Sequence, residues 1–124
     1  MPKVREQSVW SSSRACIAYI AGRVISGARS SQIQDHERSR HILIAGAVSA
    51  DLVELYDYAR GCQITGPLTR IHDHGTGAQI CLRIYGSTFS GSDEITGRSF
   101  SGNVSGDLVI VFDHADQKVY SYTI

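Results

Sequence analysis

The chain has no surplus of charge: 12 Lys plus Arg balance 12 Asp plus Glu, giving net zero with His neutral. A nucleic-acid binder needs excess positive charge against phosphates, so that class of partner is set aside. Cysteine is scarce and odd in number. Cys16, Cys62 and Cys81 lack C-x-x-C spacing, which removes a complete disulfide framework and a recognisable zinc site. No apolar run reaches the length of a membrane span, and the opening MPKVREQSVWSSSRACIAYIAG lacks a signal-type apolar segment. The expected compartment is a reducing cytoplasm, with export by an unmarked route as the alternative. Catalytic signatures are missing too. No serine stands in G-x-S-x-G, and no glycine-rich phosphate loop leads a helix, since no long helix is expected. Cys62 and Cys81 read as fillers of half-buried sheet positions. No cofactor is expected, and the weight falls against an enzyme.

What is present describes one globular domain. The chain has 124 residues, 42% hydrophobic and 19% charged, enough for a single modest core. Basic residues gather before Ala45 and acidic ones after it; the plainer reading is chance, the other an attraction of front and back within one chain or between copies. Residues 1–13 read as a loosely held arm anchored by Trp10, and residues 14–124 as the domain. A thinner reading attaches the basic arm and Trp10 to a membrane surface.

The dominant pattern is a repeat. YDYARGCQI at Tyr56 to Ile64 and HDHGTGAQI at His72 to Ile80 share Asp, Gly, Gln and Ile at matching places. Weaker copies are QDHERSRHI, SDEITGRSF and FDHADQKVY, so the recurring acids are Asp35, Asp57, Asp73, Asp93 and Asp113. Four places on stand Gly61, Gly77 and Gly97, replaced by Ser39 and Gln117 in the divergent copies. Seven places on, the residue is always large and apolar: Ile42, Ile64, Ile80, Phe100, Tyr120. An Asp that opens a turn accepts hydrogen bonds from the N–H groups just ahead of it. A Gly at the far end supplies the positive φ with which a short loop rejoins its strand. Each copy therefore predicts strand, Asp-led turn, strand.

Strand alternation supports this. Ile80, Leu82 and Ile84 share one face against Cys81, Arg83 and Tyr85, and Tyr120, Tyr122 and Ile124 oppose Val119, Ser121 and Thr123. LVIVF at Leu108 to Phe112 is apolar on both faces, as for a central strand or one covered by a partner chain. Ala21-Gly22 reads as a turn between CIAYI and RVIS, and Gly27 to Gln32 as a loop. Ser49 to Gly61 fits a hairpin by register with the other copies, or a short helix capped by Ser49 or Asp51 and ended by Gly61.

The Y/H-D-Y/H-x-x-G hairpins, the FSG and VSG punctuation and the terminal FDHADQKVYSYTI resemble the small bacterial β-repeat proteins called β-flower proteins, over Asp51 to Ile124. That resemblance implies an all-β fold in which antiparallel β-hairpins radiate pseudo-symmetrically from a shallow central barrel. It brings no reaction, cofactor or catalytic residue. The sequence departs from the pattern in its first copy, which lacks the turn Gly, and in residues 1–29, which show no repeat.

Functional candidates are few. His36, His74 and His114 each follow a repeat Asp, and His72 precedes Asp73. Around an axis these imidazoles would ring one rim and offer weak candidates for a transition-metal or small-ligand site. The plainer reading is an exposed turn position that tolerates a polar ring. Tyr56 and Tyr58 flank a turn and are the expected surface pair, whereas Tyr120 and Phe112 are expected inside the barrel. Asp93-Glu94 is expected to be solvated, and Ser90 and Ser101 of the FSG motifs to be turn and strand-end residues. The reading taken is a non-catalytic binding or self-assembly module, with itself as the expected partner through LVIVF or exposed strand edges. The rivals are a ligand site of Tyr56, Tyr58, His72, His74 and His114, and a small hydrolase gathering Asp73, His74 and a serine.

Overall fold

A computed structural model describes the backbone of residues 2–49 and 51–124, and the side chains of residues 13–49 and 51–124. Ten strands follow one helix, α1 (Pro2–Ser26): β1 (Gln32–Asp35), β2 (Arg40–Val48), β3 (Val53–Asp57), β4 (Cys62–Gly66), β5 (Ile71–Asp73), β6 (Gln79–Tyr85), β7 (Thr88–Asp93), β8 (Ser99–Ser105), β9 (Leu108–Asp113) and β10 (Lys118–Thr123). Each strand pairs antiparallel with the next, and β1 closes on β10 to complete the barrel. The hairpins are therefore as the repeat predicts, and the all-β fold around a central barrel is the one expected. Within Ser49 to Gly61, Val53–Asp57 is strand and the following residues to Gly61 are turn, with Leu55 opposite Ile64 in the β3–β4 hairpin.

The five Asp-led turns occupy one rim. In each, the Asp Oδ1 accepts from N–H groups two or three places on: Glu37, Ala59, Gly75, Ile95 and Ala115 donate at 2.9–3.0 Å. The residue four places on takes positive φ, whether Gly61, Gly77 and Gly97 or, in the divergent copies, Ser39 (53°) and Gln117 (58°). The next residue along from each Asp ties its turn to the preceding hairpin. The N–H groups of His36, Tyr58, His74, Glu94 and His114 donate to the carbonyls of Ser121, Leu43, Gln63, Gln79 and Ser99.

The first third departs from expectation. CIAYI and RVIS are not strands separated by a turn; they lie in α1, which runs on to Ser26. The boundary drawn between residues 13 and 14 falls within this helix, and the side chain of Trp10 lies outside the described residues. The cause is the width of the barrel. Bore grows with strand number, and eight strands already give an interior that side chains just fill. Ten leave a channel, and a helix is the element of suitable girth to occupy it. Every residue from Ser13 to Ala21 is buried, against a wall of inward residues that includes Ile33, Ile44, Leu55, Ile71, Leu82, Val111 and Tyr122. Ala15, Ala18, Ala21 and Gly22 keep the helix slim. A Cβ on Gly22 would stand 2.9 Å from the Ile124 side chain and 3.0 Å from that of Val109. Gly27, at φ 75°, ends the helix by donating its N–H to the Arg23 carbonyl.

The two FSG motifs are also not strand ends. Ser90 and Ser101 face each other in mid-ladder, so Phe89 opposes Gly102 and Phe100 opposes Gly91. Each ring lies over the bare backbone of the opposite glycine, filling what a missing side chain leaves open. Phe112 differs from expectation as well: it is half-buried on the outer wall, while Tyr120 is buried inside.

Candidate functional site

Inward from the turn backbone, the rim carries a buried polar collar around α1. All five aspartates are buried; Asp93, expected to be solvated, is 0% exposed. The collar centres on Arg60. Its Nε donates to Asp57 Oδ2 at 2.8 Å, its two terminal nitrogens donate to Asp73 Oδ1 and Oδ2 at 3.1 and 2.9 Å, and Nη2 reaches Cys16 Sγ at 3.3 Å. The Ser13 hydroxyl donates to Asp73 Oδ2 at 2.8 Å, and the Cys16 thiol to Asp57 Oδ2 at 3.5 Å. Across the bore, Arg14 donates to the Tyr122 hydroxyl at 3.1 Å, lies 3.4 Å from the centre of the Tyr120 ring and pairs with Asp113 at 3.6 Å. Among the described residues, Asp93 Oδ2 has no hydrogen-bond partner.

Asp73 and Asp113 of this collar are held in opposite ways. Burial pushes the Asp73 pKa up, but the hydrogen bonds and charge of Arg60, with Ser13 and Gly75, outweigh it and hold the carboxyl below its ordinary value. Asp113 goes the other way. Burial raises it, the charge of Asp116 adds to that, and the longer Arg14 contact does not compensate. Burial keeps the Cys16 thiol protonated far above its ordinary range, so this cysteine is inert rather than nucleophilic. Burial also pushes Tyr122 up to about 12. Groups so matched clamp a helix to a wall, with the aspartates buried and Arg60 partly exposed.

The histidines point the opposite way. An Asp facing the bore sends its neighbour outward, and each ring lies along the preceding hairpin. His36 Nε2 is 2.7 Å from Thr123 Oγ1, and His74 Nε2 is 2.8 Å from Thr65 Oγ1. His114 sits between Ser99 Oγ at Nδ1 and Ser101 Oγ at Nε2, both at 3.0 Å. The three candidate metal ligands thus belong to three different sectors of the outer wall. Among the described residues, no group of three or more His, Cys, Asp or Glu is placed to hold a metal ion. His72 and His74 do meet, edge to face at 4.4 Å between centroids, as do Tyr56 and Tyr58 at 4.9 Å. The two pairs share one stretch of wall, with Gln63 of β4 opposite Tyr56 and Thr65 opposite His72. His114 lies apart, on the β8–β9 side.

The hydrolase constellation does not assemble: Asp73 faces the bore and His74 the exterior. Serines do meet an imidazole at His114, in a groove of about 400 Å³ lined by Cys81, Arg83, Ser90, Ser92, Glu94 and Ser99. A neutral imidazole offers one donor and one acceptor. Here both ring nitrogens are taken by hydroxyls, so no carboxylate orients the imidazole in this arrangement.

The comparisons add no relative. No protein-family model, curated protein or solved structure matches this chain.

One further outer feature follows from β9. Its inward residues Val109 and Val111 are fully buried, which leaves Leu108, Ile110 and Phe112 facing out, with Val119 of β10 opposite Phe112. Leu108 is 39% and Val119 60% exposed. Small polar residues border this stripe on both sides: Ser101, Asn103 and Ser105 on β8, and Ser121 and Thr123 on β10. Sequence reasoning missed the collar residues Ser13, Arg14 and Cys16, which carry no signal unless the helix is known. Arg60 had one: it stands three places after Asp57, within reach of that carboxylate across the turn.

Proposed function

We propose that the protein is a non-catalytic module that associates with a second copy of itself through the outer stripe of β9 and β10. The observation that carries this is the apolar outward face of a strand whose inward face is already buried in the core. Closure of the barrel removes the other expected route, because among the described strands no edge is left to pair with a neighbour. Association must then proceed through side chains. A straight stripe suits a two-fold axis over Ile110, which lays Leu108 of one copy beside Phe112 of the other. The bordering hydroxyls and amide form the polar rim around an apolar centre that such contacts need.

Sedimentation of the intact chain over a range of concentrations tests the reading. The expected result is a dimer that Val119→Asp converts to a monomer with an unchanged circular dichroism spectrum. A wild-type chain that stays monomeric at millimolar concentration removes the proposal.

A further inference from the structure

At the rim opposite the aspartates, the loop after α1 and the end of β2 enclose a cleft of about 620 Å³, within the size range of small-molecule sites. It is lined by Arg23, Gly27–Ser31 and Ala45–Val48. Its charged lining residues are Arg23 and Arg29, and no carboxylate is among them. Neither arginine forms an ion pair among the described residues.

Arg23 is held in place without being neutralised. Its Nη1 donates to the Gly46 carbonyl at 2.9 Å and to the Tyr19 hydroxyl at 3.0 Å, both uncharged. The Tyr19 hydroxyl in turn donates to the Ser30 carbonyl, and the Ser31 carbonyl accepts from the N–H of Ile44 at 3.1 Å. Helix, loop and strand are thereby fixed around one half-buried cation. Gly46 has φ 138°, and a Cβ there would stand 2.2 Å from the Glu54 carbonyl oxygen. Only glycine presents this carbonyl to Arg23. A guanidinium oriented by neutral acceptors keeps its full charge and its remaining N–H groups for a ligand. Exposed Arg29 supplies a second charge, and the small side chains around both leave room for an organic group beside the anion.

We propose that this cleft binds a phosphomonoester, its dianion facing Arg23 and Arg29. Two guanidinium forks match the charge and the three terminal oxygens of such a group better than those of a carboxylate. The test is an amide-resolved NMR titration of the intact chain with phenyl phosphate, with benzoate and inorganic phosphate as companions. Saturable shifts are expected at Gly27–Ser31 and Ala45–Val48, tighter for phenyl phosphate than for benzoate and weaker as salt is added. Inorganic phosphate is expected to shift the same amides. Arg29→Gln, at a side chain that makes no ion pair among the described residues, is expected to weaken binding about tenfold or more, and Arg23→Lys, which keeps the charge but loses the fork, to weaken it too. Absence of saturable shifts at these amides, unchanged affinity in Arg29→Gln, or equal affinity for benzoate would each overturn the assignment.

Discussion

Replacing Arg60 with Met removes the cation that joins two hairpins and the helix while roughly keeping its volume. Three hydrogen bonds to Asp57 and Asp73 disappear, together with the contact to Cys16. The two carboxylates left behind are 2–3% exposed as side chains. Removing one partner of a buried pair costs about 3–5 kcal/mol. The lower end applies here, because Asp73 keeps Ser13, Gly75 and Thr76, and Asp57 keeps Cys16 and two backbone N–H groups. Arg60 itself is 21% exposed, so water enters part of the space. A loss of about 3 kcal/mol at neutral pH corresponds to a fall of roughly 10–15 °C in Tm for a chain of this size. The effect has a pH signature. Asp73 is held below its ordinary value in the native protein, so its contribution is complete above the unfolded value of about 3.9 and is lost as pH falls through the lower folded value. Without Arg60, burial dominates, the folded pKa moves above the unfolded one, and acid relieves the variant. Urea unfolding of both proteins from pH 7 to pH 3 should therefore show curves that converge on acidification. A penalty under about 1 kcal/mol at pH 7, or one that does not change with pH, refutes the collar as an electrostatic clamp.

Two further outcomes are open to the same measurement. Gly102→Ala places a Cβ 2.0 Å from the Ile110 carbonyl oxygen and 2.5 Å from the Phe89 ring, so a loss above about 3 kcal/mol is expected; Gly97→Ala meets nothing within 4 Å and should lose only about 1–2 kcal/mol for its left-handed backbone. Equal losses would contradict the FSG pairing. Asp93→Asn keeps the acceptor for Ile95 and removes the charge at an oxygen without a partner among the described residues, so stability should rise by about 1 kcal/mol or stay level; a fall beyond about 2 kcal/mol would show that the carboxylate has a role these contacts do not contain.

The hairpins were legible because turn chemistry is local. An Asp, a residue able to take positive φ and two flanking apolar positions suffice, and Ser39 and Gln117 show that the motif survives without glycine. The helix was illegible for an equally physical reason. A helix buried on every side has no polar face, so the 3.6-residue period vanishes and CIAYI resembles a buried strand. The FSG motifs misled because glycine marks a turn in most contexts, whereas here its partner is a phenyl ring on the next strand. The outward histidines fit the exposed turn position expected of them, but their dispersal over separate sectors depended on barrel closure, which no local signal encodes.

The seam between β1 and β10 is short, with Gln34 opposite Thr123 and Asp35 opposite Tyr122 as its matched residues. It joins the two ends of the strand order, so a ribosome must finish the last strand before the ring can shut. Until then Ile17 and Ile20 are already made, with no enclosing wall. The plug is thus synthesised ahead of its socket and can serve as the mandrel on which successive hairpins are wound.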